Sequence, residues 1–139
     1  MAQDKMHRLR DFAVRYTAAW CSQDAASVAA FFSPTGSLTI TGGVPAIGRS
    51  AITAAAQGFM SAFPDLRVCM DDLIETRDSV TYQWTLDGTN TGPGGTGKRV
   101  RISGFEKWRI GDDGLVAQSQ GNFDAAEYQR QVEHGADGQ

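Results

Sequence analysis

Three side chains in this sequence combine proton chemistry with a position among apolar neighbours: Glu106, Asp124 and Tyr16. Val100, Ile102, Glu106, Trp108 and Ile110 share one parity, so a strand through them turns a carboxylate to the same face as four apolar side chains. Burial on such a face raises a carboxyl pKa and leaves a neutral acid able to donate a proton or a hydrogen bond. The competing reading is a β-bulge that flips Glu106 to solvent, beside a cross-strand lysine or arginine. Tyr16 and Trp20 stand one helical turn apart, a spacing that serves a core or a ligand platform. In the second case the Tyr16 hydroxyl can donate to a ligand oxygen or to an inward Glu106. Asp124 follows Phe123 at the end of an apolar run and precedes AAEYQRQ, a place that equally suits a helix N-cap. If it reaches Glu106 instead, the two can share a proton as a like-charge pair.

The remaining chemistry is thin. His7 and His134, the two histidines, lie at opposite ends and cannot join a triad or a metal cluster built in the core. Cys21 and Cys69 form no CxxC and have no histidine partners, which leaves no recognisable zinc or redox motif. The glycine-rich GTNTGPGGTGK has Arg99 after Lys98 where a phosphate loop needs serine or threonine, and no helix follows it. No cofactor is therefore expected. A net charge of −3 without a basic block disfavours nucleic acid, because phosphate neutralisation supplies most non-specific affinity. No run approaches the roughly 18 apolar residues of a membrane span. The start, MAQDKMHRLRDF, lacks an apolar signal region, so a cytoplasmic location with reduced thiols is expected.

The elements that must position these residues follow from periodicity. A first helix over about 5–22 places Leu9, Phe12, Ala13, Tyr16, Trp20 and Cys21 on one side. Asp24 caps a short second helix carrying Val28, Phe31 and Phe32, which Ser33-Pro34 ends. A half-buried strand over 37–41 and a Gly42-Gly43 loop lead to a third helix, capped by Ser50, with Ile52, Ala55, Phe59 and Phe63 inward. From Leu66 the period becomes two. Leu66, Val68 and Met70 make one strand and Leu73-Ile74 a separate short segment, before a turn at 76–78. Val80, Tyr82, Trp84 and Leu86 alternate with polar residues, and strands through Glu106 and over 116–123 complete the sheet. A short terminal helix or extension then fades into a flexible tail over 133–139. With 139 residues the chain makes one domain, core about 6–132, large enough to bury roughly two thirds of its unfolded surface.

The order of these elements, together with WCSQDAASVAAFFSPTG, GGVPAIGRSAI, WTLDGTNTGPGGTGKRV and DDGLVAQSQGNFDAAEYQRQ, resembles the SnoaL-like polyketide cyclase branch of the nuclear transport factor 2-like superfamily. The likeness covers about 6–132. It implies an α+β fold in which a cone-shaped, strongly curved antiparallel sheet wraps around three helices and a deep apolar pocket. It also implies a homodimer through the outer sheet face, where Thr81, Gln83, Thr85, Arg101, Ser103 and Phe105 would lie.

By the same resemblance, Glu106 matches the buried acid that stabilises an enolate in ketosteroid isomerases, and Tyr16 comes close to their oxyanion-hole tyrosine. Asp124 matches the aspartate that SnoaL-like cyclases use as acid or base. Thr41 stands where the isomerase base would be, and Trp84 and Leu86 replace the arginine and aspartate of epoxide hydrolases. Ser119 and Gln120 occupy positions that usually carry histidine and tryptophan. Trp20, Phe59, Phe63, Trp84, Trp108 and Phe123 would line the pocket and suit a flat, ring-containing, apolar or aromatic ligand. Two classes stay open. One is a cofactor-independent cyclase, isomerase or lyase acting on a cyclic or polyketide-like ketone; the other is a non-catalytic binding protein with the same pocket.

Overall fold

The computed structural model describes residues 2–77 and 79–136; Asp78 of the expected turn and 137–139 of the expected tail lie outside them. Its elements are α1 (Ala2–Cys21), α2 (Ala25–Ala29), β1 (Phe32–Ile40), β2 (Ala46–Ile47), α3 (Arg49–Ala62), β3 (Arg67–Glu75), β4 (Val80–Thr89), β5 (Arg99–Ile110), β6 (Val116–Phe123) and α4 (Ala125–His134). Among the described residues no helix is long and apolar enough to cross a membrane.

The class is α+β, but the expected sheet is not the one that forms. The six strands lie in the order β2-β1-β6-β5-β4-β3, an open sheet with free edges at β2 and β3 rather than a cone rolled around three helices. It is also mixed. β1 runs parallel to β6, with Leu38 beside Ser119 and Ile40 beside Gly121, while every other pairing is antiparallel. Periodicity marks a strand but carries no information about the direction of its neighbour, so the purely antiparallel expectation had no local support.

Other corrections are local. Phe31 and Phe32 leave the second helix, which stops at Ala29, and β1 begins at Phe32. The Val116 N–H donates to the Phe31 carbonyl, so strand pairing outcompetes one more helical turn. Asp24 occupies the cap position of α2 without a side-chain hydrogen bond. Ser50 lies inside α3, whose cap is Gly48 at φ 89°, a left-handed value that glycine adopts freely. The buried face of α3 is Ile52, Ala56 and Met60, leaving Ala55 and Phe59 half-buried. The two segments expected around Leu66 and Leu73 are one strand, β3, with a register shift between Met70 and Asp72. That irregularity changes parity, so Val68 and Leu73, an odd number of residues apart, both point into the core.

The core fills the space between the helices and one face of the sheet. Phe12, Ala13, Tyr16 and Trp20 of α1 and Ile52, Ala56 and Met60 of α3 pack over Tyr82, Leu86, Val100, Ile102 and Trp108. The glycine-rich stretch after β4 is anchored through Asn90, which is buried and takes the Thr96 N–H on its Oδ1 while its Nδ2 donates to the Ala62 carbonyl. The terminal segment, expected to fade out, is instead tied to β5. Gln131 Oε1 accepts from the Arg101 N–H at 2.7 Å, and the Ala136 N–H donates to the Arg99 carbonyl at 2.8 Å.

Candidate active site

Alternation along β5 decides which side chains enter the core. Val100, Ile102, Glu106 and Trp108 are buried while Arg101, Ser103, Lys107 and Arg109 are exposed, so the parity read from the sequence holds without a bulge at Glu106. Glu106 keeps only 7% of its surface exposed. Two neighbouring strands bracket it, with Tyr82 opposite on β4 and Gly121 opposite on β6.

The carboxyl is held by three side-chain donors. Oε1 accepts from Ser119 Oγ at 2.8 Å, Trp108 Nε1 at 2.9 Å and Tyr16 OH at 3.0 Å. Among the described residues Oε2 has only a longer contact of 3.2 Å with the same tyrosine hydroxyl. Trp108 lies two residues along the same strand and Ser119 lies opposite Trp108 on β6, so backbone register alone brings both within reach. Tyr16 comes from α1 and is fully buried in an aromatic cage, with ring centroids 5.2 Å from Trp108, 5.4 Å from Tyr82 and 5.6 Å from Phe31.

Burial pushes the Glu106 pKa up, and the hydrogen bonds from Trp108, Ser119 and Tyr16 pull against that rise. Burial, reinforced by the nearby Glu106 charge, lifts the Tyr16 hydroxyl well above its ordinary range, so it remains a donor at neutral pH. The two oxygens are therefore unequal. Oε1 takes all three donors, whereas Oε2 retains capacity for a further partner.

Glu106 also lines a cavity of about 50 Å³ between the sheet and the helices. Four of the expected wall residues are there: Trp20, Phe59, Trp84 and Phe123. Leu38, Ile40, Gly121 and, from α4, Tyr128 also line it. Phe63 is fully buried beside Tyr128, 6.4 Å between centroids, and supports the wall from behind. Trp108 and Tyr16, expected at the wall and near the mouth, are buried behind Glu106 and hold it in place.

Asp124 is not brought to Glu106. It is exposed, stands at the N-cap of α4 and accepts the Glu127 N–H on Oδ1 at 3.0 Å. No like-charge pair forms, because all three side-chain partners of Glu106 are neutral donors. The residue the sequence reading undervalued is Ser119. It is fully buried and shares parity with Gly121 and Phe123, which together were a usable signal for an inward hydroxyl. Among the described residues no group of three or more His, Cys, Asp or Glu side chains could hold a metal ion.

Known proteins supply a frame for this site. Residues 10–132 match the family model described as SnoaL-like polyketide cyclase. A search of curated proteins returns no match. Among solved structures, a hypothetical protein with a ketosteroid isomerase-like fold from Catenulispora acidiphila, in complex with trimethylamine, superposes with a TM-score of 0.77 at 16% identity, covering 91% of this chain and 95% of that one. AclR, a putative hydroxylase from Streptomyces galilaeus, reaches 0.77 at 21% identity over 91% and 82%. A putative polyketide cyclase from Xanthomonas campestris reaches 0.73 at 19% identity over 91% and 97%. At these identities the likeness is one of fold.

Proposed function

The chain belongs to the SnoaL-like polyketide cyclase family, and we propose that within it this protein acts on a small cyclic ketone, with Glu106 as the proton donor. The observation that carries this reading is the inequality of the two Glu106 oxygens at the wall of an apolar cavity. A carbonyl oxygen of the ligand takes the Oε2 proton as a C–H bond alpha to that carbonyl breaks and its proton passes to water at the mouth. The product is an enol, which a further step can close or reprotonate. Tyr16, Trp108 and Ser119 stabilise the carboxylate left behind, and solvent returns its proton. Positioned general acids of this kind are worth roughly 10²–10⁴-fold in rate. The test is deuterium uptake at the alpha carbon of 1-tetralone in D₂O, followed by NMR. Acceleration by the protein that disappears in Glu106→Gln supports the reading; equal exchange with and without protein defeats it.

The second reading, a non-catalytic binding protein, draws on the position of Asp124 at a helix cap instead of beside the ligand. It predicts saturable binding of the same ketone with no exchange.

The quaternary proposal is a homodimer through the outer sheet face. Phe105 is 39% exposed there, between Gln83 across the sheet on β4 and Asn122 on β6. Sedimentation equilibrium at micromolar concentration should give twice the chain mass of 15.0 kDa, and Phe105→Asp should halve it. A wild-type value equal to the chain mass rejects this proposal.

A further inference from the structure

Trp84 Nε1 is a buried side-chain donor with no hydrogen-bond partner among the described residues. Buried polar groups are nearly always satisfied, and an orphan indole N–H weighs against folding until something accepts from it. The ring that carries it lines the same cavity as Glu106. Trp108 offers an instructive contrast, because its Nε1 is already engaged by Glu106 Oε1. One of these two indoles therefore serves the carboxyl, and the other has nothing to serve among the described residues.

The position of Trp84 is built, not incidental. It pairs with Gly104 on β5, the residue that interrupts the inward stripe between Ile102 and Glu106. A Cβ on Gly104 would stand 2.7 Å from Trp84 Cζ2 and 2.4 Å from the Asn122 carbonyl, so the missing side chain is the space that the indole edge occupies. Phe123 closes against the ring at 5.9 Å and 69°. Held on these two sides, the ring keeps its Nε1 out of solvent. Tyr82, the cross-strand neighbour of Glu106, precedes Trp84 by two residues on β4. At a strand rise of about 3.3 Å per residue, the backbone positions of Tyr82 and Trp84 stand roughly 7 Å apart along β4. That span suits two oxygens on opposite sides of one small ring.

Building on the proposed role of Glu106, we infer that Trp84 Nε1 is a second ligand-orienting donor, and that the cavity takes a ring carrying two acceptor oxygens. One oxygen meets Glu106 and the other accepts from Trp84. The class is a cyclic diketone or a quinone-like compound, in preference to a simple ketone. Phenylalanine at this position would supply the same apolar wall without the donor.

The test uses 1,4-cyclohexanedione against cyclohexanone, two probes of the same ring size that differ in the second carbonyl. With protein carrying ¹⁵N-labelled tryptophan, the dione should move the Trp84 indole N–H resonance downfield while cyclohexanone leaves it nearly unchanged. The dione should also bind more tightly, by roughly three- to tenfold, as one added neutral hydrogen bond allows. That advantage should vanish in Trp84→Phe, in which the two probes should bind equally well. A Trp84 resonance unmoved by the dione overturns the inference, whether the dione binds elsewhere or not at all, and so does an advantage that survives Trp84→Phe. Glu106→Gln separates the two proposals. If both ketones bind it as they bind wild type, Glu106 is not a contact, while a persisting Trp84 shift with the dione still supports the second donor.

Discussion

Glu106 lies on β5 and Asp124 just past the end of the adjacent β6, only a few residues apart in register, for Phe123 lies opposite Gly104 and Gly121 opposite Glu106. One carboxyl is buried with three side-chain donors; the other is exposed and caps a helix. Side-chain chemistry is nearly the same in both. The difference is that Glu106 falls mid-strand on the inward parity, whereas Asp124 falls after the strand ends, where backbone N–H groups of α4 need an acceptor. Of these two carboxyls only the one on the inward face of the sheet is buried, and the proton-donor role proposed for Glu106 rests on that difference.

The largest effect that would break this contrast is expected at Glu106. Glu106→Gln keeps shape and hydrogen bonding but cannot exchange a proton, and should lower alpha-deuteration of 1-tetralone roughly 10²–10⁴-fold. Asp124→Ala should leave that rate unchanged; a comparable loss there would reverse the assignment of roles.

Tyr16→Phe comes next. It removes the one contact to Oε2 and one of three to Oε1, leaving Trp108 and Ser119 in place. A hydrogen bond to a charged group contributes about 1.5–3 kcal/mol, so the rate should fall by roughly ten- to hundredfold. Because this donor lowers the Glu106 pKa, its loss should raise it further, which NMR titration of the side-chain carboxyl reads directly. An unshifted titration would mean that Tyr16 is only a packing residue.

In stability the ranking changes. Asp124→Ala should cost about 1 kcal/mol in urea unfolding, the usual worth of an N-cap, and Asp124→Asn should restore most of it.

The smallest effect, and the one with the clearest sign, is the dependence on pH. The folded pKa of Glu106 is raised above its ordinary 4.5, so between the two values the unfolded chain releases a proton that the native state retains. Its contribution therefore weakens stability as pH rises through that window and is level above it. Asp65, Asp87 and Glu127 run the other way. Their pKa values are lowered, Glu127 to about 2 by Arg130 and Gln131, so what they add is lost as pH falls through the acid range. Subtracting the Glu106→Gln stability curve from that of wild type should isolate a difference that declines above pH 4.5. A difference that is level above pH 4.5 and falls only below it would place the carboxyl in a charge-stabilising environment and defeat the neutral-acid reading.

What the sequence determined alone is what a single strand or helix decides locally. The inward parity of Glu106 follows from the two-residue repeat of β5, and the shared face of Phe12, Tyr16 and Trp20 follows from the helical repeat of α1. The aromatic cavity wall at Trp20, Phe59, Trp84 and Phe123 was an implication of the family resemblance, not of any one element's repeat. Everything that requires two segments to meet was left to the tertiary structure. The parallel pairing of β1 with β6, the open mixed sheet, and the choice of Ser119 and Trp108 as partners for one oxygen all depend on strand order and register. The fate of Asp124 belongs there too, since a free N–H at the start of α4 and a distant carboxyl at Glu106 compete for it only in three dimensions. Hydrogen bonding acts over about 3 Å, so its outcome is set by which backbones the fold brings that close.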